Sequence, residues 1–216
     1  MASTIGEARD EFWARVGALS PDVIAPFIDP ALMGYPRWPV RPAYRVIAGH
    51  NRNTILTTDG LSDPFDEDHP MAQDGVSGFR LELYVETDEP ITIDDAARSW
   101  QFAMLSQMAM NTADSGEVRE LLDEYGQISI ELYDVQVPKA FLLDEGRAGA
   151  LIGARSKLVR ESFDGAAGDV RAVSVMLLHP SELDECLTPE GRRKVADAIF
   201  ERWGEPIASL SRPPVI

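Results

Sequence analysis

Cysteine is nearly missing from this chain: Cys186 is the single one in 216 residues, so no internal disulfide and no multi-cysteine zinc site can form. Lysine is scarce too, with 3 Lys against 17 Arg, a usage compatible with a GC-rich bacterial genome. No run of ~18 apolar residues occurs, and the opening MASTIGEARDEFWARVG lacks the apolar stretch of a secretory leader, so a soluble protein in a reducing cytoplasm is expected. Positive charge is in deficit: 20 basic residues face 36 acidic ones, giving a net charge of −16 and a pI near 4.5. That balance argues against partners rich in phosphate, whether nucleic acid or an anionic membrane. The patterns Gly-x-Ser-x-Gly, Gly-x-Gly-x-x-Gly and Walker A are absent, and no cofactor is expected. What is present is the mix of a folded globule, 44% hydrophobic and 26% charged, at a length that favours one core.

The acidity is uneven. Residues 1–62 are neutral, residues 96–216 carry −6, and residues 63–95 hold eleven acids against Arg80 alone, a net of −10. A run of this kind is ordinarily a solvated face. Its sharper reading is a patch that draws in and selects a basic partner. On that reading Asp66, Glu67, Asp68 and Asp74 are the candidate partner-binding residues.

Periodicity supplies the elements. Apolar residues at 5, 8, 12, 16 and 19 predict a helix over 5–19. Six prolines between 21 and 42, mixed with Phe27, Tyr35 and Trp38, predict an ordered arm that wraps the core. Residues 44–48 and 54–58 read as a β-hairpin, and 79–86 as a strand with one buried and one wetted face. A helix from Thr92 or Asp94 to Met110, a short one over 115–125 and a strand over 127–137 follow. Residues 139–169 are glycine-punctuated, with short extended pieces near 141–143 and 156–163. Residues 171–178 suit a strand buried on both faces, Thr188-Pro189 opens a last helix ending at Gly204, and the tail 211–216 reads as an edge strand. The sum is one α+β domain, helices packed on a mainly antiparallel sheet, with residues 1–43 as helix and arm and 44–216 as the core.

Chemistry is hard to place. Asp63, Asp66, Glu67, Asp68 and His69 crowd one loop, but without the ligand order of an EF-hand, so no metal is assigned, and a metal-dependent hydrolase working from the 66–69 loop stands only as an alternative. Cys186 with His179 is a weak thiol pair, because a lone cysteine between strand and helix is more often packed. His50 falls in a hairpin turn. A structural or regulatory subunit that pairs with another chain through an apolar edge is the remaining alternative.

The string TTDGLSDPFD, followed by Ser77-Gly78-Phe79 and the strand LELYVE, resembles the Suppressor-of-fused domain family. Its members show a Gly-Leu-Ser-Asp turn after a strand, then Gly-Phe and a strand containing Glu-Leu. The later order is similar over about 44–216: a Trp-containing helix, the segment VSVMLLHPSEL with Glu182-Leu183, a helix and an Arg-containing end. The resemblance implies a non-enzymatic α+β protein-binding domain. The animal member sequesters a transcription factor by strand addition between two domains, and single-domain bacterial relatives are taken to act as immunity proteins that neutralise toxins. There is room here for one domain only, so the two-domain clamp does not carry over, and the 1–43 arm has no clear counterpart. Gly60, Leu61, Ser62 and Asp63 carry the motif and suit a structural turn: glycine for the bend, hydroxyl and carboxylate for backbone groups, leucine for the core. The resulting expectation is a binding protein acting through an acidic surface, plausible as an immunity protein against a basic toxin domain.

Overall fold

A computed structural model describes residues 4–72, 78–165 and 168–216 of the protein. Through them run α1 (Ile5–Ala14), β1 (Gly17–Leu19), β2 (Tyr44–Gly49), β3 (Thr54–Thr58), β4 (Leu81–Thr87), α2 (Ile93–Ala96), α3 (Trp100–Ser115) and α4 (Val118–Tyr125). Then come β5 (Ile128–Leu132), β6 (Ala148–Ile152), β7 (Ser162–Gly165), β8 (Gly168–Leu178), α5 (Pro180–Glu185) and α6 (Pro189–Trp203). The strands make one sheet in the order β1-β2-β3-β4-β8-β6-β5, with β7 also on β8. Every pairing is antiparallel except that of β4 with β8. The fold is α+β, as the periodicity predicts.

Both faces of the sheet are covered. On one, Met104, Leu105 and Met108 of α3 with Val118 and Leu122 of α4 share a core with Leu56, Leu83, Val85, Val173 and Val175. On the other, α1 sets Phe12 and Trp13 among Ile47, Ile55 and Tyr84, while α5 and α6 set Leu183, Val195 and Ile199 among Leu151, Met176 and Leu178. This second cover corrects the expectation for β4. The alternation in LELYVE is real, but Glu82, Tyr84 and Glu86 lie beneath other elements and are buried, so β4 has no wetted face.

Other boundaries shift for local reasons. The first helix stops at Ala14 because Gly17 must lie against β2: a Cβ there would meet the Ala48 carbonyl oxygen at 2.2 Å, and the chain turns into β1 instead of continuing as helix. The helix expected from 92 to 110 is two helices, since the Ser99 side chain accepts from the Phe102 amide and starts α3 afresh. The next helix begins at Val118, not 115, because Gly116 takes the left-handed conformation that ends α3. Strand β6 and helix α5 were hidden in stretches without clear period. In β6, Gly149 makes room for Leu183, which a Cβ would meet at 2.9 Å.

The tail forms no strand. It inserts Arg212 into the core, where its guanidinium holds both oxygens of Glu182 at 2.6 Å and donates to the Leu177 carbonyl at 3.1 Å. Burial pushes the Glu182 pKa up, but Arg212 and the amides of His179 and Val215 outweigh it and hold the carboxyl below its ordinary value. Removing one member of a buried pair strands the other. Arg212→Ala is therefore expected to cost about 3–5 kcal/mol in denaturant unfolding at neutral pH. The sign of the shift makes this contribution present above the ordinary carboxylate range and lost as pH falls toward the depressed pKa, so the two proteins should converge in acid.

Candidate functional site

The Gly60-Leu61-Ser62-Asp63 turn follows β3 and closes on a carboxylate in β4. Glu82 Oε1 accepts from the amides of Gly60 (3.2 Å) and Ser62 (3.1 Å), from the Ser62 hydroxyl (2.6 Å) and from Arg9 Nη1 (3.0 Å). Its Oε2 accepts from the Thr58 hydroxyl at 2.5 Å. Arg9 reaches in from α1 and also pairs with Asp59 (2.5 Å) and Asp63 (2.9 Å), and Arg45 holds Asp59 from the other side (2.7 Å). Burial pushes the Glu82 pKa above its ordinary value, and Arg9, Ser62 and Thr58 pull it back in part. Five converging donors make the carboxylate the form that the site is built for. Burial disfavours charge on Arg9 as well, but Glu82, Asp59 and Asp63 outweigh it and keep the guanidinium protonated. Leu61 is fully buried, and a Cβ on Gly78 would meet the Asp63 carbonyl oxygen at 2.3 Å. The bonds of these motif residues run inward, to the fold.

Glu86, four residues further along β4 on the same face, has a different environment. Its Oε1 accepts from Asn51 (2.8 Å) and Asn53 (2.7 Å) of the β2–β3 turn, while its buried Oε2 has no partner. Burial pushes its pKa up, the two asparagines oppose that, and Glu205 adds to it.

The eleven acids of 63–95 do not make one surface. Glu82 and Glu86 are interior, Asp63 pairs with Arg9, Asp88 accepts from the Ser209 hydroxyl (2.8 Å), and Glu89 accepts from Gln101 (3.0 Å). Asp66, Glu67 and Asp68 are exposed, with Asp66 reaching Arg37 at 3.0 Å. Asp74 lies outside the described residues. His69 is buried beside them: its Nδ1 accepts from the Met71 amide (3.1 Å), which leaves Nε2 to donate to the Arg37 carbonyl (3.1 Å), and its ring stacks on Phe65. With both ring nitrogens engaged, the 66–69 loop offers no histidine ligand, and among the described residues no three side chains of ligand type converge. That donor set does not fit the metal of a hydrolase. Cys186 is buried with its thiol pushed up to about 12 by burial and by Glu182, and His179 stacks on Phe141 with Nε2 on the Arg212 carbonyl. The two form no nucleophile and base pair.

A surface that sequence reasoning missed lies at the far edge of the sheet. Strand β5 ends the strand order, half-buried, and among the described residues no strand pairs with its outer side. Beside it α3, α4 and β5 enclose a groove of about 520 Å³ whose walls include Met108, Val118, Leu121, Tyr125, Ile128 and Ile130. Ser115 at the α3–α4 corner lines this groove and also a neighbouring hollow formed by Phe65, Pro70 and Met71 of the acidic loop with Glu117 and Glu120 of α4. The available signal was Leu121 and Tyr125, apolar residues one turn apart that face no core and remain exposed.

An eight-stranded, mainly antiparallel sheet with helices on both faces and one parallel central pair defines the class of fold. It is the Suppressor-of-fused fold: the chain is similar to a chain of a crystal structure of the Sufu–Fu complex, with a TM-score of 0.55 and 12% identity over 91% of this chain and 85% of that one. It is also similar to a crystal structure of Drosophila Suppressor of Fused, TM-score 0.49 and 12% identity, covering 82% of this chain and 43% of that one. The sequence matches no protein-family model and no curated protein.

Two outcomes check this account of the buried acids. Glu82→Gln should lose about 1–3 kcal/mol of stability, because it weakens the acceptor on which five donors converge while Arg9 keeps Asp59 and Asp63, and the double change Arg9→Met with Glu82→Leu, which leaves the Thr58, Gly60 and Ser62 donors without an acceptor, should lose more in chemical unfolding. Glu86→Gln should do the opposite. A raised pKa means that the fold favours the protonated form, a contribution complete below the ordinary carboxylate pKa and lost as pH rises through the raised one. The neutral amide should therefore melt higher than wild type at neutral pH, by about 1 kcal/mol, with the gap closing toward acid.

Proposed function

We propose that the chain is a non-enzymatic protein-binding module that takes an extended, basic segment of a partner along β5. The observation that carries this is the open outer side of β5 beside the groove of about 520 Å³. Strand addition supplies affinity through main-chain hydrogen bonds, and a flanking pocket for alternate side chains supplies selection. The sign of the partner follows from charge. The chain carries −16, Glu117 and Glu120 line the hollow next to the groove, and the exposed Asp66, Glu67 and Asp68 lie in the loop between Phe65 and Pro70, which line it too. Such a field raises the association rate of a basic partner. The Sufu–Fu structure, a complex with another protein on a similar fold, supports a binding role, and a toxin-neutralising protein whose target is a basic toxin domain is one form of it.

The test is capture of partners from the native host with wild type and variants. A genuine partner is retained at low salt, shed at high salt, and lost on Tyr125→Glu, whereas Asp66, Glu67 and Asp68 changed together to Ala should slow its association by about tenfold. Capture indifferent to salt and to all these changes would overturn the reading.

A further inference from the structure

Among the described residues, the arm between β1 and β2 carries seven of the twelve large hydrophobic side chains left exposed. Val23, Phe27, Ile28, Leu32, Met33, Tyr35 and Val40 are all exposed, Phe27 at 97% and Leu32 at 82%. A solvated linker has no use for so many large apolar side chains, and surface of this kind marks a place of contact. The arm is also held in place. Ile24 bridges to Tyr44, Trp38 is buried against Tyr44, and Asp29 caps a 3-10 turn over Pro30–Met33. Arg41 donates to the carbonyls of Pro26 and Phe27, which pins the backbone on which the Phe27 ring stands out.

Next to that projecting ring is a hole. Between the arm and α3 lies an apolar pocket of about 270 Å³ lined by Ile24, Pro26, Trp38, Tyr44, Phe102 and Met110. An apolar cavity of roughly 150 Å³ is enough for a benzene ring. Knob and hole are adjacent, since Pro26 lines the pocket and Phe27 follows it, and a two-fold axis passing beside them would place each ring in the other copy's pocket.

Self-complementarity points to a second copy as the occupant, since exposed ring and apolar pocket belong to the same arm. Residues 20–43 hold Asp22, Asp29, Arg37 and Arg41 and are neutral within a chain of −16. Arg37 is taken by Asp66, and Arg41 by the two carbonyls. The acidic loop touches the arm through Asp66 on Arg37, so two copies meeting here also bring Glu67 and Asp68 of each nearer the other, a repulsion that salt screens. The seven side chains, with the pocket walls, offer apolar area on the order of the ~800 Å² that each partner contributes to a stable interface.

We infer that this protein self-associates as a two-fold dimer through its 21–42 arm, Phe27 of each copy seated in the pocket between the arm and α3 of the other. Because an apolar contact is opposed here only by long-range repulsion, which salt screens, association strengthens with ionic strength, opposite to capture of a basic partner at β5.

Sedimentation equilibrium and light scattering of the full chain test this at low and high sodium chloride. Wild type is expected to pass from monomer to dimer with concentration, at lower concentration in high salt. Phe27→Asp, at a fully exposed position, should melt like wild type and weaken dimerisation by about tenfold or more. Ala97→Trp, which fills the pocket from its exposed wall on the far side, should do the same. A monomer under every condition, or a dimer indifferent to both changes, overturns the inference. The separate failure of β5 binding would leave it intact, because neither change touches that edge.

Discussion

The carboxylate of Glu82 is the constraint on which the rest of the molecule is arranged. An ion taken out of water costs several kcal/mol even after the protein relaxes, and that cost is offset only where donors of good geometry surround it. Here the donors come from four places in the sequence: the Thr58 hydroxyl at the end of β3, the Gly60 and Ser62 amides, the Ser62 hydroxyl, and Arg9 from α1. Each is fixed by the need to reach one group. The position of α1 on the sheet, the bend after β3 and the burial of β4 are thus one requirement seen from three sides. Arg9 would itself be a stranded charge without Glu82, Asp59 and Asp63, so neither partner is tolerable alone.

The same device recurs at the other end of the chain. Glu182 follows β8, sits fully buried, accepts from the His179 and Val215 amides, and is matched by Arg212 arriving from the tail. In both cases a Glu-Leu pair places an acid under a chain terminus and an arginine from that terminus completes it. A terminal segment without a strand partner is normally the first part to fray. Tying it by a buried ion pair makes its docking specific, since the arginine brings the charge that the other donors on the carboxylate lack.

This explains which parts of the protein could be read from its sequence. The hairpin β2–β3, the doubly buried β8 and helix α6 were legible because their signals are local: alternation around a polar turn, an apolar run, and Thr188-Pro189 to Gly204 as cap and stop. The bend at Gly60 to Asp63 was legible as turn chemistry, but the carboxylate twenty residues later on which it closes was not. LELYVE reads as half-wet because the pattern of one strand holds no information about what lands on its other face. Arg9 stood on the apolar stripe of α1, between Ile5 and Trp13, and that misplaced charge was the available sign that an acid waited opposite. The acidic stretch was misread for the same cause: local counting cannot separate Glu82 and Glu86, which are interior, from Asp66, Glu67 and Asp68, which face water.

Once the interior acids are set aside, the surface divides along the sheet. At the β1–β2 edge stands a neutral, proline-stiffened arm with its apolar side chains outward; at the opposite edge β5 lies open beside a groove and an acidic corner. α3 spans the distance, lining the arm pocket with Phe102 and Met110 and the β5 groove with Met108 and Asn111. The two edges answer to different forces. Coulomb attraction acts across a Debye length and sorts partners by charge before contact, whereas apolar surface acts only at contact and is blind to sign. The arm and the acidic loop meet at Arg37, which pairs with Asp66 and accepts from His69 at its carbonyl, so on the two proposed readings salt weakens the contact at β5 and strengthens the one at the arm.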